Sequence, residues 1–196
     1  MKLPLALLST ATAFLGLLQP SAADTSTVWK GAAAIQFHGT STLHDWSGTV
    51  SAQPFLTTVF MDASSQPTAL KAQVEVKAVD MDTKEPKRDE NMRKAMRVVD
   101  FPLVAGDFDT TFASLSPGSG MAPRKLPFQL SIMGKKQKVE GVVSNWKQKD
   151  DKASFDVDFD LSLKACGITV PAVMLVIRVG DTVKVHVNVT LTKTQA

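Results

Sequence analysis

Three histidines, one cysteine and a row of aspartates are the side chains of this sequence with the most chemistry to offer. His38 and His44 stand six residues apart, and Asp45 follows His44 directly. Two imidazoles and a carboxylate could hold a metal or pass a proton. A metal site needs a third ligand at useful spacing, and none appears. His44 and Asp45 are therefore expected to hydrogen-bond the loop and strand start around them. His186 falls on the polar side of an alternating stretch and is expected at the surface. Asp156, Asp158 and Asp160 alternate along one segment. Calcium loops wrap their ligands around a glycine bend, and this segment is straight, so the three are expected to form a solvated face that discourages aggregation. A hydrolase using His44 or His186 is open on composition, yet no Gly-x-Ser-x-Gly elbow occurs. There is no phosphate-binding glycine loop and no Cys-x-x-Cys. Asn188-Val189-Thr190 matches a glycosylation sequon inside a predicted strand and carries no argument. No catalytic residue, metal ligand or cofactor is expected.

The elements that must position these groups are strands. Ala153–Leu163 sends Ala153, Phe155, Val157, Phe159, Leu161 and Leu163 one way and Ser154, Asp156, Asp158, Asp160 and Ser162 the other. Only a period of two sorts them, which predicts a β-strand with one dry face and one wet face. Thr182–Thr192 repeats the rhythm. Further strands are predicted at Trp29–Gly39, His44–Val50, Leu70–Val79, Leu103–Phe112, Lys125–Met133 and Gln137–Trp146. Thr40–Leu43, Ser114–Arg124 and Asn145–Lys152 are predicted loops or turns, and Gln53–Pro67 a loop or weak strand. Val170–Val179 is more continuously apolar and suits packing on both faces. Gly180-Asp181 then predicts a two-residue hairpin into the last strand.

One stretch changes period. In Thr83–Val99, Met92, Ala95, Met96 and Val99 recur at helical spacing. Pro86 suits a first turn, Glu85, Asp89 and Glu90 suit the positive end of the helix, and Arg93, Lys94 and Arg97 suit the other. Pro102 prevents continuation. Lys84, Lys87, Arg88, Arg93, Lys94 and Arg97 make this helix basic. Such a face is either solvated or meets anionic groups such as membrane headgroups.

Sheets wet on one face are typically antiparallel. Eight or nine strands then split into a sandwich or close. The predicted class is all-β: about eight antiparallel strands, in a sandwich or a barrel, with one amphipathic helix. A barrel of this size is filled by its own side chains or holds one ligand.

Residues 1–23 are expected to lie outside this fold. Lys2, the apolar run Leu3–Leu18 and the small residues Ser21-Ala22-Ala23 form a secretory signal with cleavage before Asp24. Of 196 residues, 173 then remain for one domain, residues 24–196, located in the periplasm. Without Lys2, 21 basic residues face 19 acidic ones. A balance of +2 argues against nucleic acid as the main partner. The single Cys166, between Ala165 and Gly167, cannot form an internal disulfide and is expected to be buried. A membrane-spanning barrel is a poor alternative, because three Trp and no Tyr supply no aromatic girdles.

Ser41-Thr42-Leu43-His44-Asp45-Trp46-Ser47-Gly48-Thr49-Val50, then Met81-Asp82, Arg88-Asp89-Glu90-Asn91-Met92-Arg93 and Asp100-Phe101-Pro102 resemble the YceI-like family in that order. Leu130-Ser131-Ile132-Met133-Gly134 and Cys166-Gly167-Ile168 also fit. The resemblance runs from about Trp29 to Thr192. It implies an exported protein with a lipocalin-like barrel that holds a polyisoprenoid or isoprenoid-quinone chain. One departure is Asn91-Met92, where the family often has His-Leu.

The dry faces carry the functional expectation. Ile35, Phe37, Trp46, Val74, Val76, Met92, Met96, Phe108, Phe128, Leu130, Phe155 and Phe159 are the expected ligand contacts. Phe112 is expected to share this apolar face. The small residues Ala33, Gly48, Ala52, Ala72 and Ala78 favour an open interior. The rival expectation is a filled barrel acting through its surface as a structural or stress-related protein. Neither reading indicates an oligomeric state.

Overall fold

A computed structural model describes residues 25–115, 123–169 and 178–194. The expected cleavage site before Asp24, most of the 114–124 loop and residues 170–177 of the apolar run lie outside the described residues.

Nine strands, β1 (Thr25–Ser41), β2 (Trp46–Ser51), β3 (Phe55–Met61), β4 (Pro67–Lys77), β5 (Leu103–Thr111), β6 (Arg124–Ile132), β7 (Lys135–Lys149), β8 (Lys152–Ser162) and β9 (Val179–Lys193), surround one helix, α1 (Pro86–Ala95). All neighbours are antiparallel, in the order β2-β1-β3-β4-β5-β6-β7-β8-β9, and β1 also pairs with β9. Along one edge, β1 pairs through Thr25–Gly31 with β3 and through Ala34–Gly39 with β2. β2 and β3 thus share one stave, and the sheet closes into an eight-stave barrel. Closure removes most of the strand edges that would invite pairing with another chain.

Alternation sets which way each side chain faces. Phe155 and Val157 of β8 are buried while Asp158 and Asp160 are exposed. Val183, Val185 and Leu191 of β9 are buried with them. Three irregularities bend the wall: the β1–β9 register shifts between Gly39 and Ser41, the β3–β4 register between Phe60 and Met61, and the β7–β8 register between Ser144 and Lys147. Bulges of this kind sharpen twist and help a sheet curl shut.

Several boundaries differ from expectation, and α1 stops at Ala95, leaving Val99 of the expected stripe 93% exposed in the turns that follow. Phe55–Met61 is a full strand, because Phe55, Thr57 and Val59 alternate inward within a stretch whose flanking prolines suggest a loop. β7 continues through Asn145 to Lys149; Asn145 takes φ 53° at the bulge, so a turn-forming residue marks a kink instead of a strand end. Gly180-Asp181 makes no hairpin but lies inside β9. Asp181 instead accepts from the Lys164 amide at 2.8 Å and the Ser162 hydroxyl at 2.7 Å, tying down the turn after β8. Those two bonds hold its carboxyl below the usual carboxylate range.

Candidate functional site

The inner faces enclose a cavity of about 470 Å³. α1 lies at one end, where Met92 and Met96 pack against Phe128, Leu130, Ile132 and Cys166. At the other end Phe55, Leu70, Leu115, Leu126, Phe155 and Leu191 form the floor. Trp29 pairs with Thr57 near the floor, and Gly39 pairs with Trp46 near the mouth. Between them β1 spans about 33 Å along the strand and roughly 25 Å along the axis of a barrel with ordinary strand tilt. A volume of this size over that length is a tunnel suited to one extended chain.

Glycines explain why the aromatic rings leave it open. Phe55 faces Gly31, Phe37 faces Gly48, and Trp46 faces Gly39 across neighbouring strands. A Cβ on any of the three glycines would lie within 2.3 Å of the facing ring. Each ring therefore lies along the wall, over backbone. Phe108 stacks on Phe128 at 4.8 Å between centroids, and Phe159 meets Phe128 edge-on at 5.3 Å, lining the opposite wall.

The structure brings all twelve sequence-selected side chains, from Ile35 to Phe159, onto this one cavity. Phe112 is not among the lining residues; it packs edge-on against Trp146 at 6.0 Å. Of the five small residues, Ala33 and Ala72 line the tunnel. The room left by Gly48 goes to the Phe37 ring, and Ala78 is packed beneath α1.

The mouth is the polar end. α1 starts with Glu85 accepting from the Lys87 amide and Pro86 in its first turn. Buried Asp89 reaches back to the Thr83 amide at 2.9 Å and its hydroxyl at 2.7 Å, clamping the helix to the rim. The Thr49–Asp82 bridge joins this rim to β2. The basic helix largely neutralises itself. Lys84 pairs with Asp82, Lys87 and Lys94 with Glu90, and Arg97 with Asp100, while Arg93 donates to the Val79 carbonyl. Lys87 and then Lys94 pull Glu90 down to about 2. Arg88 differs: half-buried and lining the tunnel, it has no carboxylate partner among the described residues, and its guanidinium lies 3.4 Å from His44 Nε2. Of the basic face expected from sequence, Arg88 is the cation that reaches the tunnel mouth.

Ser41, Leu43, Asn91 and Thr83 complete that rim. The Ser41 hydroxyl donates to the His44 carbonyl at 2.7 Å, so it is the backbone of His44 that is held, leaving the imidazole to Arg88. Leu43 is 67% exposed although it lines the mouth. Asn91 and Met92, at the departure from the family pattern, both face the tunnel. Sequence reasoning missed Leu43, an apolar residue inside a polar loop, and Thr57, the polar member of the Phe55-x-Thr57-x-Val59 alternation.

The other chemical candidates stay apart. His38 is exposed on the outer side of β1. His186 Nδ1 contacts Asp158 at 2.7 Å on the outer face of β8 and β9. Asp156 accepts from Asn145 and Asn188, chiefly from Asn145, and its carboxyl is lowered accordingly. No cluster among the described residues could hold a metal ion, and no serine hydroxyl there hydrogen-bonds a histidine ring. Cys166 is fully buried, and burial pushes its thiol up.

Solved structures share the fold at low identity. Burkholderia cenocepacia BcnA superposes with a TM-score of 0.61 at 14% identity, covering 81% of this chain and 95% of that one. A polyisoprenoid binding domain from Saccharophagus degradans gives 0.62 at 11% identity, covering 84% and 98%. The Campylobacter jejuni YCEI protein gives 0.51 at 13%, covering 76% and 85%. Among curated proteins none matches. The YceI-like domain family model matches residues 21–191, and this chain belongs to the YceI-like family.

Proposed function

We propose that this protein is a periplasmic, non-enzymatic carrier that shields one long apolar chain, polyisoprenoid or isoprenoid-quinone-like, inside its barrel. The observation that carries the reading is the tunnel: a mostly apolar bore with most of its polar groups, Thr57 apart, gathered at the Arg88 rim. At about 0.8 kcal/mol per buried CH₂, several isoprene units gain on the order of 10 kcal/mol before ordering costs. Burial of the chain thus drives binding, and Arg88 with His44 at the rim suits an electron-rich head. The relative from Saccharophagus degradans, named as a polyisoprenoid binding domain, supports this ligand class. Export rests on the N-terminal stretch of Lys2, Leu3–Leu18 and Ser21-Ala22-Ala23. Any contact with a membrane would use the mouth, where Leu43 is exposed and Arg88 carries a charge with no carboxylate beside it, because the other helix cations are engaged.

The test is native mass spectrometry of the purified protein, followed by titration with a long-chain polyprenol. Wild type is expected to hold one chain per protein. Ala72→Phe, which puts a ring into the bore, is expected to stay folded and to bind at least tenfold more weakly. Wild type that is empty and takes up no polyprenol overturns the carrier reading and leaves the filled barrel.

A further inference from the structure

Most polar side chains lining the tunnel sit at the mouth; Thr57 lies at the opposite end, beside the floor. It points inward from β3 between Phe55 and Val59 and opposite Ala72 of β4. The residue is 4% exposed. Its hydroxyl makes no hydrogen bond with any described residue, yet no side-chain polar atom is left both sealed and unpaired. The hydroxyl therefore opens onto the tunnel.

This choice of residue needs a cause. Valine has the shape of threonine, suits a strand equally well, and would add apolar area to the floor. Threonine adds only a donor and an acceptor, and buried polar groups in folded proteins are paired almost without exception. Among the described residues, Arg88 at the mouth is the one Lys, Arg, Asp or Glu lining the tunnel, so a neutral partner suits Thr57. Phe55, Leu70, Leu126 and Phe155 leave no other polar group at that depth among the described residues. We propose that Thr57 is a specificity-determining anchor for a neutral oxygen, hydroxyl or carbonyl, at the end of the ligand seated on the floor. Among long apolar chains that enter the tunnel, one with an oxygen at its far end is then held more tightly than the same chain without it, and the plain chain still binds. This assignment rests on the carrier reading above.

The test compares stearate with ω-hydroxystearate, which differ only in the terminal hydroxyl. Binding of both is measured by calorimetry to wild type, Thr57→Val and Thr57→Ser. Wild type and Thr57→Ser should prefer ω-hydroxystearate, and Thr57→Val should lose about tenfold in affinity for it while binding stearate no more weakly. Equal preference in wild type and Thr57→Val, as a bound water on Thr57 would also give, overturns the anchor and leaves the carrier reading standing. Binding of neither chain to wild type overturns the anchor, while the carrier reading stands or falls on the polyprenol titration. Should Thr57→Val fail to fold, wild type must still prefer ω-hydroxystearate, or the anchor is wrong.

Discussion

At the floor of the barrel Trp146 stacks on Phe155 at 5.4 Å, Phe112 meets Trp146 edge-on, and Leu115 and Leu126 are almost fully buried. At the mouth Leu43 is exposed, Arg88 lacks a carboxylate, and α1 is held by the Asp89–Thr83 clamp. One end is closed by interlocking apolar side chains alone; the other adds hydrogen bonds and exposed ion pairs to the packing of Met92 and Met96 beneath α1. The floor therefore supplies stability and the mouth supplies access. A chain can enter past the mouth without unfolding the core.

That division is broken most directly by a floor substitution. Leu126→Ala leaves a cavity in the tightest cluster and is expected to reduce stability by about 2–5 kcal/mol in chemical denaturation. A loss under about 1 kcal/mol would mean that the floor is not what holds the barrel. Gly48→Ala probes the wall between the ends. Its Cβ would fall 2.3 Å from Phe37 and 3.0 Å from the Asp82 carbonyl, so the ring must swing into the bore. A cost of about 1–3 kcal/mol is expected, together with weaker polyprenol binding. Arg88→Gln acts only at the mouth. It should weaken binding of a polyprenyl phosphate by about tenfold, leave an uncharged polyprenol unaffected, and leave stability unchanged.

Acid gives the smallest effect and the sharpest contrast. Glu90 and Asp181 both hold mouth-end segments, and both titrate below their ordinary values. A depressed carboxylate stabilises the fold in full above its ordinary value, near 4.5 for Glu90, and this is lost as pH falls through the folded value of about 2. The floor cluster has no titratable group. Amide exchange compared at pH 5 and pH 2 should therefore show α1 and the turn after β8 losing protection while β3 and β6 keep it. Uniform loss would dissolve the distinction between the ends.

The dry faces were legible because inward and outward positions in a strand differ only in solvent. Alternation gathered Ile35, Val74, Phe128 and the other strand residues onto one cavity, and the helical period added Met92 and Met96. Pairing was not legible: that Gly48 makes room for Phe37, and not for ligand, depends on cross-strand register, which no local pattern encodes. Gly180-Asp181 was misread because turn-forming residues mark bends inside barrels as readily as turns between strands. The helix face is basic and solvated, one of the two readings open on sequence, but which cations are paired was hidden because charge counts ignore neighbours. Lys87, Lys94 and Arg97 have acidic partners three or four residues away, and Arg88 does not.

A crystal structure of the protein with a bound long-chain polyprenol is the most direct measurement of the whole account. A single chain running from the rim at Arg88 and His44 down to Phe55 and Thr57, with the rings of Phe37 and Trp46 still flat against their glycines, is the predicted result. A chain lying on the outer wall, or rings turned inward to fill the bore, would contradict it.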